Sequence, residues 1–525
     1  MQKFTCGALV SLFSVAIACG ANELGEGRED APPGQPASPA DNAQAPPDPV
    51  DGKPVPGVYV SRSKGSDDGT GSTARPLQTL KAAFALAKQQ GLRVIACAET
   101  YEGSVELVDG VSAYGYYDCN VEPWKRGGAR AKITSTGATP AVIAKGLTLP
   151  TRIEGFEIVA TDLDGEPATA TSGTSVAVDV RDSRGLVFGE SLIRAGKAAP
   201  GIDGEAPAVN AQLTPAAVAG TAAKPQGEAT CVLSINNCAT KLWPGPAGGT
   251  SQCAVGPGGG AGGAGGAGTW YNGNQPNYYT NPPGTRGLPL AATTTTAVGG
   301  EGGLEGTNGA RGTAGADGQN GVWTLGPAGF VPGNGTGGSN GGAGQGGGGG
   351  GGSMFHRCIV PNGGQCPTPP QNEHTTSDTG GSGGAGGCPG LTGTPGTGGG
   401  ASIGAFVVSS DISFERTRIE TSLGGRAGRG FLGTPGTPGG AGGPAAYWGA
   451  KGGNGGDGGP GGVSGHGAPG PSIALAHSGA PPKLVDAELV PGSGGEGYPE
   501  ETQTSGAVVK VLPAVVGESK AMHAF

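Results

Sequence analysis

The stretch Ser175–Ile193 reads SVAVDVRDSRGLVFGESLI, and it decides the fold. An alternating apolar run opens it, a short polar break follows at Arg181–Arg184, and a second alternating run ends at Ile193. Such alternation with a period of two is typical of β-strands. The stretch recurs in weakened form at Ser402–Ile419 and Ser472–Val490, and each copy is followed by glycine-rich sequence. We interpret the copies as rungs of one parallel β-helix from which long glycine-rich inserts extend.

The composition limits what else the chain can be. Of 525 residues, 113 are glycine and 44 are proline, a proportion at which repetitive or low-complexity backbone structure is expected. Glycine tracts have no side chains to bury, so a conventional core cannot extend through the whole chain. The formal net charge of −9 argues against nucleic acid as a partner, because such binding needs a basic face.

The amino terminus has the features of a secretory signal peptide. One Lys precedes an apolar run that ends in small residues before Cys19. The sequence Ala16–Gly20 (AIACG) resembles the lipobox of bacterial lipoproteins, in which the cysteine carries the lipid and becomes the first residue. The resemblance implies a signal peptide over 1–18, palmitate-type lipidation at Cys19 and an anchor in the outer membrane or at the cell surface; plain secretion is the alternative. The Pro- and Ala-rich stretch up to position 57 is predicted to be an extended tether.

Eight further cysteines follow Cys6 and Cys19, and an oxidising compartment favours disulfides among them. Cys97 and Cys119 are 22 residues apart, which is about one coil of a β-helix. Neighbouring coils lie roughly 4.8 Å apart, and a disulfide needs Cα atoms about 4.4–6.8 Å apart, so this pair fits a bridge between rungs. The pairing of the other six is left open; they are Cys231, Cys238, Cys253, Cys358, Cys366 and Cys388. No CxxC pair indicates a zinc site.

The folded part begins with a recognisable segment. Val58–Gly91 contains YVS, GSDDGTG and RPLQTLKAAFALA in that order, and it resembles the amino-terminal segment of bacterial pectin-lyase-like proteins. The resemblance implies a right-handed parallel β-helix capped by an amino-terminal helix. The residues predict the same helix, because Pro76 suits a first turn, an apolar stripe from Leu77 to Ala87 has helical spacing, and Gly91 suits a helix end. Asp67 and Asp68 are weak calcium candidates, since acids in such loops are usually turn residues.

The inserts show a regular period. Glycine falls at every third position from 300 to 321, and similar tracts occupy 259–268, 380–388 and 452–463. Polyproline II has three residues per turn, so such segments present a glycine edge. Three interpretations stay open: a flexible loop, a bundle of polyproline II strands pinned by the six cysteines, and a collagen-like trimer. The composition resembles that of PGRS-type surface proteins and related myxobacterial lipoproteins.

The search for chemistry gives no catalytic centre. Many β-helix enzymes that cleave polysaccharides use acids as acid and base, or a basic residue with bound Ca²⁺. Polygalacturonase-like hydrolases carry NTD, DD, GHG and RIK motifs; here GHG lies inside a glycine tract at Gly465–Gly467, RIK is replaced by RIE, and NTD is absent. The five histidines are scattered, and the aromatic residues of the inserts are candidates for stacking on sugar rings: Trp270, Tyr271, Tyr278, Tyr279 and Trp448. The charged residues that could share a face of the rungs are Asp179, Arg181, Asp182, Glu415, Arg416 and Arg418.

We therefore expect a non-enzymatic, cell-surface lipoprotein without cofactor or metal. Its role would be structural or adhesive, through matrix polysaccharide or self-association, and a carbohydrate-active β-helix enzyme is the alternative. A third idea, ice or mineral binding by Thr293–Thr296, is weakened because the threonine run does not repeat at coil spacing. The predicted domains are 1–18, 19–57, 58–199 (cap and first coils), 200–400 (glycine-rich insert), 401–425 (coil), 426–470 (second insert) and 471–525 (last coil and tail).

Overall fold

The structure is a computed structural model, and the fold is mainly β with few helices and several parallel sheets. It describes Gln44 and residues 54–169, 173–224, 229–230, 242–269, 304–358, 373–446 and 449–525. For the strand residues 229–230, 242–243, 268–269, 353–358 and 373–377 it describes the backbone alone.

The opening stretch Ser175–Ile193 supplies one strand to each of three sheets. Ser175–Arg181 lies in the sheet called sheet 3 here, Arg184–Gly189 in sheet 1 and Leu192–Arg194 in sheet 2. The first two strands of the chain both lie in sheet 1, and from Val94 onward the chain passes through sheets 1, 2 and 3 in constant rotation. The neighbouring strands of each sheet run parallel, apart from one short antiparallel strand beside sheet 1.

The strands are numbered in chain order. Sheet 1 contains β1 (Val58–Val60), β2 (Val94–Cys97), β5 (Ala113–Asp118), β6 (Lys125–Arg126), β9 (Thr151–Glu154), β12 (Arg184–Gly189), β22 (Asp411–Glu415) and β25 (Lys483–Val485). Sheet 2 contains β3 (Thr100–Glu102), β7 (Ala131–Thr134), β10 (Phe156–Val159), β13 (Leu192–Arg194), β23 (Arg418–Glu420) and β26 (Glu488–Val490). Sheet 3 contains β4 (Val105–Glu106), β8 (Val142–Lys145), β11 (Ser175–Arg181), β21 (Ser402–Val408), β24 (Ser472–Ser478) and β29 (Ser519–Ala524).

The remaining strands form small antiparallel sheets outside these three. They are β14 (Ala229–Thr230) with β19 (Ser353–Cys358) and β20 (Glu373–Asp378), β15 (Leu242–Trp243) with β16 (Gly268–Thr269), β17 (Thr324–Gly326) with β18 (Gly329–Val331), and β27 (Glu501–Ser505) with β28 (Val508–Leu512). The helices of the described residues are α1 (Leu80–Gln90) and α2 (Pro215–Val218).

The predicted alignment of the three copies is confirmed over their first run, but in the second run the third copy is displaced by one residue, because Ile419 is the Cα partner of Leu489 and not of Val490. Ser175 is the Cα partner of Ser402, and Ser402 is the partner of Ser472. The inward side chains of successive copies therefore stack on each other, and the rings of Phe188 and Phe414 lie parallel with centroids 5.4 Å apart. These side chains share one buried core with the inner residues of all three sheets.

The polar break in each copy is a corner between sheets. Between sheets 3 and 1 the corner residue of each copy has positive φ: 48° at Asp182, 48° at Ser409 and 81° at Gly479. The corner between β8 and β9, before the first copy, has φ of 64° at Gly146. The next residue of two copies is a serine whose hydroxyl replaces a missing backbone partner, because Ser183 Oγ accepts from the Leu147 amide at 3.1 Å and the Ser183 amide donates to Ser410 Oγ at 2.9 Å. The corners therefore need small or polar residues, and this need breaks the apolar alternation.

The predicted helix is present but begins later than the sequence indicated. Thr79 caps α1, its hydroxyl accepting from the Ala82 amide at 3.2 Å, so Pro76 lies before the helix rather than in its first turn. The reason lies in the preceding loop, where the Asp67 carboxylate accepts from the Gln78 and Thr79 amides at 3.0 and 2.9 Å and holds them out of the helix. The helix ends at Gly91, with φ of 64°, as predicted. Its buried residues pack into the shared core: Leu80, Ala83, Phe84 and Ala87.

The corner conformation gives a direct test of this architecture. A left-handed backbone costs an ordinary residue about 1–2 kcal/mol, and a β-branched side chain suffers most. We expect Ser409→Val to lower the free energy of unfolding by about 2 kcal/mol, measured by urea denaturation. Ser413→Val is the matched control, since Ser413 is a half-buried strand residue in β22 where valine is favoured. Equal stability of the two variants would contradict the corner assignment.

Candidate functional site

The glycine-rich inserts are held together by backbone hydrogen bonds that repeat every third residue. The amides of one segment each donate to a carbonyl of a second segment 145 positions later in the chain. These donor and acceptor pairs are Gly306 to Lys451, Gly309 to Asn454, Gly312 to Asp457, Gly315 to Pro460, Gly318 to Val463 and Gly321 to His466. The glycine period from 306 to 321 is therefore the period of lateral hydrogen bonding. We call the described parts of the inserts joined in this way the glycine network.

The segment 379–400 lies at the centre of the glycine network, because its successive amides donate in three different directions. Gly383 donates to Gly263, Gly384 to Gly453 and Ala385 to Val218, at 2.8, 3.0 and 2.8 Å. Three donors pointing to three neighbours within three residues is the arrangement that a helix with three residues per turn produces. All of these bonds join segments of the same chain.

Glycine is required where two segments touch. A Cβ atom on Gly386 would lie 1.9 Å from the carbonyl oxygen of Gly344 and 2.3 Å from its carbon. Both obstacles are backbone atoms, so neither can rotate away. The close approach that satisfies the amides therefore excludes every side chain at these positions.

Side-chain oxygens complete the hydrogen bonding where the glycine pattern lapses. The Ser339 amide donates to the Ala316 carbonyl while the Ser339 hydroxyl accepts from the Ala316 amide, at 2.9 and 2.8 Å. Thr437 makes the same reciprocal pair with Cys388, at 2.9 and 2.7 Å. Asp317 Oδ1 accepts from the Val463 amide at 2.9 Å. Small polar residues thus act in the glycine network as substitutes for backbone carbonyls.

The glycine network joins the three sheets through one column of backbone. Each amide in the column donates to the carbonyl of the member before it, at 2.8–2.9 Å, and the members are Gly173, Ala199, Gly400, Gly425, Gly470 and Gly495. We call this the junction column. Both inserts leave after sheet 2 and return at sheet 3, so the column continues the hydrogen-bonding ladder of the sheets into the inserts.

Two disulfides lie within the described residues. Cys97 and Cys119, the pair that the 22-residue spacing predicts, have Cα atoms 5.5 Å apart and pack beside Tyr59, Tyr117 and Trp124. Cys253 and Cys388 have Cα atoms 5.7 Å apart and join two segments of the glycine network that are 135 residues apart in sequence. Cys358 lies in β19, where the backbone alone is described, and Cys19, Cys231, Cys238 and Cys366 lie outside the described residues.

The six charged candidates from the sequence do not form one site. Asp179 and Arg181 lie in sheet 3 and Asp182 at its corner, whereas Glu415 lies in sheet 1 and Arg418 in sheet 2. Arg416 is a corner residue whose guanidinium pairs with Glu190 at 3.0 Å. Arg418 pairs with Glu420 and Glu488. These charges are mostly satisfied by their neighbours on the same sheet.

A denser charge cluster lies on the outer face of sheet 1. Glu154 is 2% exposed and pairs with Arg126 and Arg152, and Arg152 also pairs with Glu415 at 2.9 Å. Burial opposes the charge of Arg152, but its hydrogen bonds to Glu154 and Glu415 hold the pKa of the guanidinium above its usual value. The first RIE sequence, Arg152–Glu154, therefore supplies two of the four residues of this ion-pair network.

The other predicted positions have structural contacts. His466 of the GHG sequence is fully buried, and its Nδ1 accepts from the Gly430 amide at 3.0 Å. Burial lowers the pKa of this imidazole, and the ring stacks on Tyr498 at 4.8 Å. His477 and His523 lie in β24 and β29, and His356 and His374 lie where the backbone alone is described. Asp67 accepts from the amides of Gln78 and Thr79, directly before α1.

Within the described chain, Cys97, Glu99 and Cys119 are the single group with metal-ligand spacing. The two sulfur atoms of this group are joined in a disulfide. The Glu99 carboxylate is occupied as well, because it accepts from the Arg62 amide at 2.6 Å. The arrangement therefore favours a structural use of these three residues.

The aromatic candidates for sugar stacking, and Thr293–Thr296, lie outside the described residues. The structure places a different aromatic group on sheet 3. Trp323 and Phe330, from the β17–β18 hairpin, pack with Ile403 and Phe406 on the outer face of that sheet. The sequence signal was present but overlooked: Val322–Val331 reads VWTLGPAGFV, two apolar runs around a Gly-Pro turn.

Comparisons with protein-family models, with curated proteins and with solved structures found no match to this chain. Among the described residues, no helix combines the length and the apolar character needed to cross a membrane.

The close packing of the glycine network predicts a sharp difference between glycine positions. Gly386→Ala introduces a clash with backbone on a neighbouring segment, and we expect it to lower the free energy of unfolding by about 3 kcal/mol. Gly165→Ala is the control, because nothing lies within 4 Å of a Cβ at that position. Calorimetry of both variants checks the expectation, and a Gly386 variant as stable as the control would count against the described packing.

Proposed function

We propose that this protein is a cell-surface lipoprotein with a structural or adhesive role, built on a right-handed parallel β-helix of the pectin-lyase-like kind. The constant rotation of the chain through three sheets supports a β-helix, and right-handed crossovers are the rule for parallel strands. The packing of α1 against the first strands supports a helix that covers one end of the stack. The three-residue period of the glycine network supports a bundle of polyproline II helices in the inserts.

The observation that carries the proposed role is the glycine network itself. The chain commits two long inserts to a lattice of backbone hydrogen bonds, pinned by Cys253–Cys388 and tied to the sheets by the junction column. Such a lattice offers rigidity and an extended surface rather than mobile catalytic groups. Its use would be to hold a surface away from the membrane, where it meets matrix polysaccharide or another copy.

The anchor is proposed at Cys19, after a signal peptide over 1–18. The tether would span 19–57, of which Gln44 and residues 54–57 are described. The Gln44 carbonyl accepts from Arg93 Nη1 at 3.0 Å and from the Tyr114 hydroxyl at 2.7 Å, both on the outer side of sheet 1. The tether would thus contact the outer side of sheet 1 at Gln44.

The anchor is tested by metabolic labelling with radioactive palmitate in a bacterial host. We expect label on the wild-type chain, loss of label with Cys19→Ala, and accumulation of the unprocessed form with globomycin, which blocks lipoprotein signal peptidase. Cys6→Ala is the matched control, because Cys6 lies inside the predicted signal peptide. A wild-type chain without label would refute lipid anchoring and favour secretion.

A carbohydrate-active enzyme is the second candidate, and one observation favours it. Glu154, Arg152 and Glu415 bring two acids and an arginine within hydrogen-bonding distance on one outer face. General acid and base catalysis needs such paired groups. The structural role is preferred because both carboxylates already bind an arginine.

An enzyme would release cleavage products from a polysaccharide, whereas a structural protein would not. With a structural role we expect no unsaturated uronides and no new reducing ends when the protein is incubated with pectin, alginate or polygalacturonate. Release of either product, lost in Glu154→Gln and kept in Glu488→Gln, would establish the enzyme instead. Glu488 is a suitable control because it pairs with an arginine but is 61% exposed.

A further inference from the structure

A cleft lies between the β17–β18 hairpin and the outer face of sheet 3. Phe330 in β18 packs with Ile403 and Phe406 of β21, and the turn residue Ala328 and Gly329 of β18 line the cleft opposite β11. The enclosed volume is about 370 Å³, within the range of small-molecule sites. The site therefore combines an element of the insert with a rung of the sheets.

A charged pair projects into this cleft. Arg181 Nε donates to both carboxylate oxygens of Asp179, at 3.0 and 3.1 Å, and the two side chains are 28% and 13% exposed. Arg181 Nη1 donates to the Pro327 carbonyl at 2.6 Å, and the guanidinium lies 5.2 Å from the centre of the Phe406 ring. These contacts fix the orientation of both groups. Arg181 Nη2 has no hydrogen-bond partner among the described residues, and the Asp179 carboxylate has Arg181 as its one partner there.

The charged pair occurs once on this face. In the next rungs Asp179 aligns with Phe406 and then Ala476, and Arg181 aligns with Val408 and then Ser478. In the preceding strand Asp179 aligns with Ile143, and Arg181 aligns with the exposed Lys145. Within the cleft the neighbours of the two half-buried charges are mostly apolar, so the pair loses hydration that the attraction between the two charges offsets only in part. Arg181 contacts the hairpin through the Pro327 carbonyl, whereas the Asp179 carboxylate makes no hydrogen bond to the hairpin among the described residues.

We propose that this cleft binds one pyranose unit of a neutral polysaccharide. The Asp179 carboxylate accepts hydrogen bonds from ring hydroxyls, and Arg181 Nη2 donates to a hydroxyl oxygen. The apolar wall formed by Ile403, Phe330 and Phe406 receives the C–H face of the sugar, in keeping with apolar sites that carry a few placed polar groups. The pair has no net charge, and a uronate carboxylate would meet Asp179, so a neutral sugar is favoured. This inference rests on the proposed adhesive role and names its ligand class.

The test uses the full chain purified in detergent and isothermal titration calorimetry. The probes are cellohexaose, mannohexaose and galactohexaose, with hexagalacturonate as the acidic comparison. We expect at least one neutral probe to bind, hexagalacturonate to bind at least tenfold more weakly, and Asp179→Asn to weaken the neutral probe at least tenfold. Asp164→Asn is the matched control, because Asp164 forms an exposed ion pair with Lys197 at 2.9 Å, and it should leave binding unchanged.

A second variant separates binding from folding. Ala328→Trp fills the cleft from an exposed turn position without removing either charge, and it should abolish binding while the unfolding midpoint stays unchanged. Neutral binding that survives both Asp179→Asn and Ala328→Trp would overturn this site while leaving an adhesive role in place. Preference for hexagalacturonate would overturn the ligand class. Failure of the wild-type chain to bind any of the four probes would overturn the site, and retention of native matrix on the immobilised chain would then decide the adhesive role separately.

Discussion

Every peptide amide that leaves water needs an acceptor, and this requirement shapes both the sheets and the described parts of the inserts. In the sheets the acceptors belong to the neighbouring rungs, and in the inserts they belong to segments that are distant in sequence. The inserts meet the requirement because glycine lets two backbones approach to hydrogen-bonding distance. A single methyl group at Gly386 would lie 1.9 Å from a carbonyl oxygen. The abundance of glycine is therefore a condition for order in these segments rather than a sign of its absence.

The sheets and the glycine network depend on each other through the junction column. The sheets contribute a conventional core, in which aromatic and branched side chains stack on those of the neighbouring strand. The glycine network has little apolar surface to bury, so it gains order from a fixed starting register and from the covalent link at Cys253–Cys388. Because both inserts leave and return at the same corner, the rungs on either side remain in register, and Ser175, Ser402 and Ser472 still align.

The apolar side chains of the strands made the strand pairing predictable from the sequence. The glycine tracts carry no such side chains, so the sequence did not decide between the three interpretations of the inserts. The alternation in Ser175–Ile193 directly indicates which side chains are buried. Aligning the copies on this alternation also predicts which residues of the next strand lie beside Asp179 and Arg181. The start of α1 was misplaced because Asp67, which holds the preceding amides, is distant from the helix in sequence. The three-residue glycine repeat predicts that hydrogen bonds between segments recur every third residue. It does not predict which two segments pair, because all glycine edges are alike and fit one another equally well. The candidate sugar cleft escaped notice because its two halves, the hairpin and β11, lie more than a hundred residues apart.

The hydrogen bonds between segments of the glycine network also restrict how many residues can be inserted into or deleted from the glycine tracts. Gly306 through Gly321 meet their acceptors at a constant offset along the chain. Removing one or two residues between Gly306 and Gly321 would turn every later glycine away from the neighbouring segment. Removing three residues would leave the later glycines facing that segment and would shorten the tract by one three-residue repeat. Insertions and deletions in these tracts should therefore be tolerated in steps of nine nucleotides, and tract length should vary among descendants of this gene by whole turns.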